Sequence, residues 1–263
     1  MTNNVLKRSL NLPLLTLYGL GTILGAGVYV LVGKVAGIAG LYAPIAFSIS
    51  AIVALFTGLS YAALSARYPR SAGEVVYINQ AFSSATLSTS VGWCVIATGV
   101  VSAATMVNGF IGYLTVFIQI PTLLAVTLIV ASITLIAYWG IMESVTIAAL
   151  ITVLEIVGLL LVIYSLRGEL LTLPHQWQTL LPPVNGDIWL GILLGAFLAF
   201  YAFIGFEDMV NVAEEVVAPQ RTLPIAIIAA LLMASVLYIL IALAAVLSLP
   251  PDVLSQSDSP MVM

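Results

Sequence analysis

Residues 19–37 read GLGTILGAGVYVLVGKVAG, an apolar run long enough to cross a bilayer yet carrying glycines at 19, 21, 25 and 27. Glycine weakens a helix by about 1 kcal/mol per residue relative to alanine, so Gly25-Ala26-Gly27 predicts a break near the middle of the run. In lipid, open backbone persists only where protein or a water-filled cavity satisfies its polar groups. A broken span is therefore a candidate binding site. Where a half-helix begins, free N–H groups and a positive dipole end suit an anion; where one ends, free carbonyls suit a cation. The segment LGAFLAFYAFIGFEDMVNVAEE predicts a second break at Ile204-Gly205-Phe206, followed at once by Glu207 and Asp208. Glu155 is the deepest ionisable residue of TIAALITVLEIVGLLLVIY. An acid at membrane depth is a functional candidate by default. For Glu207 the competing reading is a cap on the inner half-helix, and for Glu155 a glutamate simply hydrogen-bonded into the bundle. Thr98, Ser102 and Thr105 are spaced i, i+4, i+7 and share one helix face, fit to line a route or to bond a neighbouring helix.

The elements that must hold these residues are membrane helices. The chain of 263 residues is 62% hydrophobic and 7% charged, with mean hydropathy +1.19, more apolar surface than a soluble domain of this length can bury. The net charge of −4 gives no basic surface for nucleic acid. Cys94 is the sole cysteine and His175 the sole histidine. No intrachain disulfide can form, and a zinc or thiol enzyme lacks its residues. No metal or cofactor is expected. Lys7 and Arg8 precede the first apolar run as in a signal peptide, but the run continues through Val32 without a small-residue cleavage site and reads as the first span.

Seven spans fit, at about 11–32, 42–66, 88–118, 122–139, 144–166, 187–211 and 223–248, each near the ~20 residues that cross the hydrocarbon. A short amphipathic stretch, 74–82, precedes the third. With the N-terminus in the cytoplasm, Lys7, Arg8, Arg67, Arg70 and Arg221 lie inside, and Lys34 and Arg167 outside, which satisfies the positive-inside rule. Residues 167–186 then form an external, proline-containing loop with Trp177 at an interface, and 249–263 are external as well. Arg67, Arg70 and Glu74 at one inner turn and Glu214, Glu215 and Arg221 at another could pair as an inner gate, or Arg67 and Arg70 could simply anchor topology. Spans one and six, each broken, are separated so that they run in opposite directions. Paired interrupted helices in corresponding positions of two halves point to a transporter binding site.

At GLGTILGAGVYVLVG, YAALSARYPRSAGEVVYINQAF and FYAFIGFEDMVNVAEEVVAPQRTLPIAI, in this order and spacing, the chain resembles the amino acid–polyamine–organocation permeases. The resemblance implies an all-α transmembrane fold of the LeuT type, built from two inverted five-helix repeats usually followed by two more helices. The chain, one membrane domain over 1–263, resembles the first repeat (about 11–166) and two helices of the second (about 187–248), the N-terminal part of such a permease. It further implies secondary active transport of an amino acid by alternating access, driven by a proton or cation gradient, in the plasma membrane and with no chemistry on the substrate. Ile23, Gly25, Ala26 and Gly27 with Tyr201, Phe203, Ile204 and Gly205 would line the substrate, joined by Thr98 and Ser102. Glu207 would take part in proton-linked gating. Some relatives carry a lysine at the place of Glu155 that replaces a bound sodium, so that mechanism does not transfer to a glutamate. Two alternatives stay open: a carrier of polyamines or other amines, and a truncated, non-transporting sensor or interaction protein.

Overall fold

A computed structural model describes residues 8–256, apart from the side chains of Ala26, Gly27 and His175. Lys7 of the basic flank and the end of the chain at Met263 lie outside the described residues. The described residues form ten α-helices: α1 Leu12–Ala39, α2 Ala43–Arg67, α3 Gly73–Phe82, α4 Ala85–Phe117, α5 Thr122–Trp139, α6 Ile141–Ser165, α7 Arg167–Gln176, α8 Gly186–Phe200, α9 Pro219–Ser248 and α10 Pro251–Gln256. Six helical stretches are long and apolar enough to cross a membrane: Val28–Arg67, Ala85–Phe117, Thr122–Trp139, Ile141–Ser165, Gly186–Glu215 and Pro219–Ser248. Leu12–Gly25 is a shorter apolar helix. The seven expected spans map onto these pieces, except that span one is divided. Its outer part runs to Ala39, beyond the expected limit at 32, because the helix first meets a terminating conformation at Gly40 (φ 62°).

Local chemistry accounts for the helix starts. Asn11 caps α1 by accepting from Leu14 N–H at 3.1 Å, Ser84 caps α4 through Leu87 N–H, and Asn185 caps α8 through Asp187 and Ile188. Two stretches differ from expectation. Residues 167–186 are not an open loop: Arg167–Gln176 is helical and Trp177–Leu180 forms a 3-10 turn. Leu170 and Leu173, one turn apart, are half-buried, and Glu169 suits the first turn of the helix. Pro174 falls inside α7, leaving Leu170 O without its i+4 N–H donor, and the helix ends two residues later at Gln176. After α9, α10 folds back on α1: Leu254 is buried, and Lys34 Nζ donates to Ser255 O at 3.4 Å.

The core lies where α1, α2, α8 and α9 meet. Small residues set their spacing. Gly195 of α8 faces Val35, Ala39 and Ala46, and Gly58 of α2 lies directly against the Leu231 side chain of α9, which a Cβ at Gly58 would displace. Ser50 Oγ, buried in α2, donates to Ala196 O of α8. Gly58→Val is expected to push α2 off α9 and to destabilise by about 1–3 kcal/mol, read as a lower thermal midpoint of the detergent-solubilised chain. By contrast α4 is exposed along most of its length, with only Ser88 and Ile111 buried.

α1 and α8 cross in opposite senses. The start of α1 meets the end of the segment after α8, since Leu10 bridges Val216; the end of α1 meets α8 near its start, with Ile38 O 3.0 Å from a Cβ built on Gly191. This crossing brings the two breaks side by side.

Candidate functional site

Both breaks form. Gly25 takes φ 25°, ψ −151° within α1, a conformation that side chains with a Cβ rarely adopt. Beyond α8 the chain tightens into a 3-10 turn at Tyr201–Phe203, opens at Ile204 (ψ 136°) and Gly205 (φ 133°), and resumes as a 3-10 segment, Phe206–Glu215. Gly205 sits directly on the α1 backbone at Thr22, where a Cβ would collide with the Thr22 carbonyl. Thr22 Oγ1 lies 2.9 Å from both Gly19 O of its own helix and Gly205 O, so its single proton can tie α1 to the second break or fold back on α1, one at a time. Glu207 Oε2 accepts from Gly205 N–H at 2.8 Å, capping the inner segment.

Tyr238 on α9 joins the same region from behind. Its ring is fully buried and packs edge-on against Phe203 (5.1 Å) and Phe47 (5.9 Å). Its hydroxyl lies 2.6 Å from Ile23 O, 2.9 Å from Ala202 O and 3.4 Å from Leu24 O. A phenol carries one proton, so it serves one of these carbonyls at a time. The carbonyl ends of two half-helices thus converge on one point.

Two cavities flank the breaks. The smaller, of about 160 Å3, is bounded by the outer part of α1, by α4 and by Tyr201, Ala202 and Ile204. The larger, of about 820 Å3, reaches inward and is lined by Glu74, Glu155, Glu207 and Asp208, with no Lys, Arg or His among its described lining residues. Ser102, Met106 and Ile204 belong to both walls. Glu155 makes no hydrogen bond or ion pair among the described residues and lies close enough to Tyr29 and Tyr238 to interact electrostatically.

The expected site residues therefore divide. Ile23, Tyr201, Ile204 and Ser102 line the small cavity, and Thr98, Ser102, Ile204, Gly205, Glu155 and Glu207 the large one. Gly25 forms the break itself. The Phe203 ring is buried in the core on Tyr238 and lines neither cavity, so only its backbone can face a ligand. The side chains of Ala26 and Gly27 lie outside the described residues. Tyr238, Thr22 and Met106 do not emerge from sequence reasoning. The available signal for Tyr238 is the one aromatic residue of an otherwise aliphatic helix, whose hydroxyl needs a partner when buried.

Of the two readings of the charges at the inner turns, the pairing between turns does not occur among the described residues. Arg67 instead places its guanidinium 5.4 Å from the Tyr68 ring, Glu214 is exposed, and Glu215 Oε2 is buried without a partner. Backbone joins the inner ends: Ser9 and Leu10 N–H donate to Glu215 O, and Val217 N–H donates to Leu10 O at 2.9 Å. Glu74 contacts its own side of the fold, accepting from Tyr61 O–H at 3.0 Å. The neighbouring Tyr77 hydroxyl is pushed up to about 12 by burial and secondarily by Glu74, so it remains neutral.

Comparison with known proteins identifies the family. The family profile described as amino acid permease matches residues 10–263. The branched-chain amino acid permease BcaP of Bacillus subtilis is 31% identical over 253 residues, which cover 89% of this chain and 53% of that protein. Human cationic amino acid transporter 4 is 29% identical over 269 residues, covering 93% of this chain and 41% of its own. The methylthioribose transporter of Bacillus subtilis is 28% identical over 256 residues, 90% of this chain and 54% of its own. The chain spans about half the length of the curated relatives it matches. With its apolar helices and this match, it is an integral, multi-pass membrane protein that belongs to the amino acid permease family of the amino acid–polyamine–organocation superfamily.

Proposed function

We propose that the chain carries the substrate site of a secondary active amino acid transporter that works by alternating access around the two breaks. The α-carboxylate is held by the free N–H groups where the outer part of α1 resumes, at Gly25, Ala26 and Gly27. The α-ammonium is held by the carbonyls that gather at Tyr238. That convergence, three carbonyl oxygens from two broken helices around a single phenolic proton, carries the reading. It leaves acceptors that an ammonium would satisfy, in a place where an unpaired charge costs several kcal/mol. The names of two relatives, branched-chain and cationic, differ in side chain but share the α-amino acid group, which is the part these backbone dipoles would recognise.

Coupling falls to a proton or cation in the acid-lined cavity, with Glu207 at the second break and Glu155 on α6 as the groups that gate or carry it. The plasma membrane is the proposed setting, with the N-terminus in the cytoplasm, an orientation supported by the distribution of lysine and arginine. Uptake of labelled amino acids into proteoliposomes tests the function: accumulation above protein-free vesicles is expected, and none would overturn it. In the same assay, Glu155→Gln is expected to flatten the pH dependence of uptake. An unchanged pH profile would remove Glu155 as the proton carrier.

A further inference from the structure

Gly205 is held from two sides. Its N–H donates to Glu207 Oε2 at 2.8 Å, and its carbonyl accepts from Thr22 Oγ1 of α1 at 2.9 Å. Between these two bonds the residue adopts φ 133°, ψ −23°, a conformation that glycine enters and leaves without steric penalty. Thr22 has a second acceptor at the same distance, Gly19 O, 2.9 Å away in its own helix. A hydroxyl carries one proton and serves one acceptor at a time. Given to Gly205, the proton joins α1 to the second break. Given to Gly19, it stays within α1, and packing alone holds the breaks together.

The charge on Glu207 bears on that choice. A carboxylate accepts a charge-assisted hydrogen bond about twice as strong as a neutral one, so ionised Glu207 fixes the Gly205 N–H and with it the direction of the residue. A protonated carboxyl grips the same N–H less firmly, and Gly205 can turn away from Thr22. The Thr22 proton stays on Oγ1 throughout; only its acceptor changes. No cation competes for Glu207: Asp208 adjoins it, and Tyr18 of α1, Tyr61 of α2, Glu74 of α3, Cys94 of α4 and Glu155 of α6 line the same cavity, with no Lys, Arg or His among its described lining residues.

We propose that Thr22 is the positioning residue through which the charge on Glu207 reaches α1. Ionised Glu207 holds the two breaks together through Gly205 and Thr22; protonated Glu207 lets them part. This rests on the proton-linked transport reading and supplies its mechanical link.

Initial uptake of a labelled amino acid mixture by the full chain in proteoliposomes, measured at acidic and at neutral pH, tests it. The parent is expected to show rates about tenfold apart, the factor that one hydrogen bond to a charged group gives. Thr22→Val keeps the branched shape without the hydroxyl and is expected to bring the two rates within about twofold of each other. Thr22→Ala carries the same expectation in a smaller side chain, and Thr22→Ser, which keeps the hydroxyl, should retain the parental spread. A merely structural role would lower uptake at both pH values in proportion; that result, or a Thr22→Ser profile as flat as that of Thr22→Val, overturns the link and leaves the transport reading standing. In the parent itself, amide exchange of Phe206–Glu215, corrected for its intrinsic pH dependence, is expected to quicken at acidic pH. Equal protection at both pH values overturns the proposal whether or not the variants fold. Parental uptake without pH dependence overturns gating by Glu207 and this link together, and no parental uptake at all overturns the transport reading on which both rest.

Discussion

Gly205→Ala is expected to abolish amino acid uptake and to destabilise the chain by about 2–5 kcal/mol, the sum of a backbone conformation reserved for glycine and an overpacked contact. Gly205 holds φ 133°, and an added methyl would run into the Thr22 carbonyl of α1. Backbone cannot rotate away as a side chain can. The same substitution at Gly25 should be milder: the nearest atom there is the flexible end of Met106, so only the backbone strain at φ 25° remains. Purified variants compared by thermal midpoint and by uptake would show this order. Parental uptake by Gly205→Ala would mean that the close approach of the two breaks has no role.

The second large effect is expected at Tyr238. Tyr238→Phe keeps the edge-on ring contacts with Phe47 and Phe203 and deletes only the hydroxyl shared by Ile23, Leu24 and Ala202. Hydrogen bonds between membrane helices are worth about 1–2 kcal/mol in model systems, so the loss in stability should fall in that range. Uptake should fall further than this stability loss would give, because the hydroxyl orders the carbonyls proposed to hold the ammonium. Parallel measurement of unfolding midpoint and initial uptake rate separates the two. Equal losses in both would reduce Tyr238 to a packing residue.

Much of the fold, and the location of the breaks, could be read from the sequence for one physical reason. Glycine in an otherwise helical apolar run is costly unless the chain needs its freedom, and Gly25 and Gly205 both adopt angles that need it. The limits of α2 and α5 and the end of α9 follow from hydropathy alone, while α9 starts four residues before the expected 223, at Pro219, in a polar turn that hydropathy does not score as helix. Which apolar side chain faces a cavity did not. Membrane helices are apolar on all sides, so periodicity gives no contrast between a core residue and a pocket residue. Phe203 and Met106 illustrate this: the first was expected to line the site and is in the core, the second was not singled out and borders both cavities. α7 was missed because its polar and proline-containing composition resembles a loop. The strand-like pairing of Leu10 with Val216 depends on segments at opposite ends of the chain, which no local pattern reports.

Hydrogen–deuterium exchange across residues 23–28 and 201–207, on the chain in lipid nanodiscs with and without saturating amino acid, tests most directly whether the opened backbone holds the substrate. Fast exchange of these amides in the free protein and their selective protection by the amino acid are the expected result. Slow exchange in both conditions, as in an unbroken helix, would contradict it.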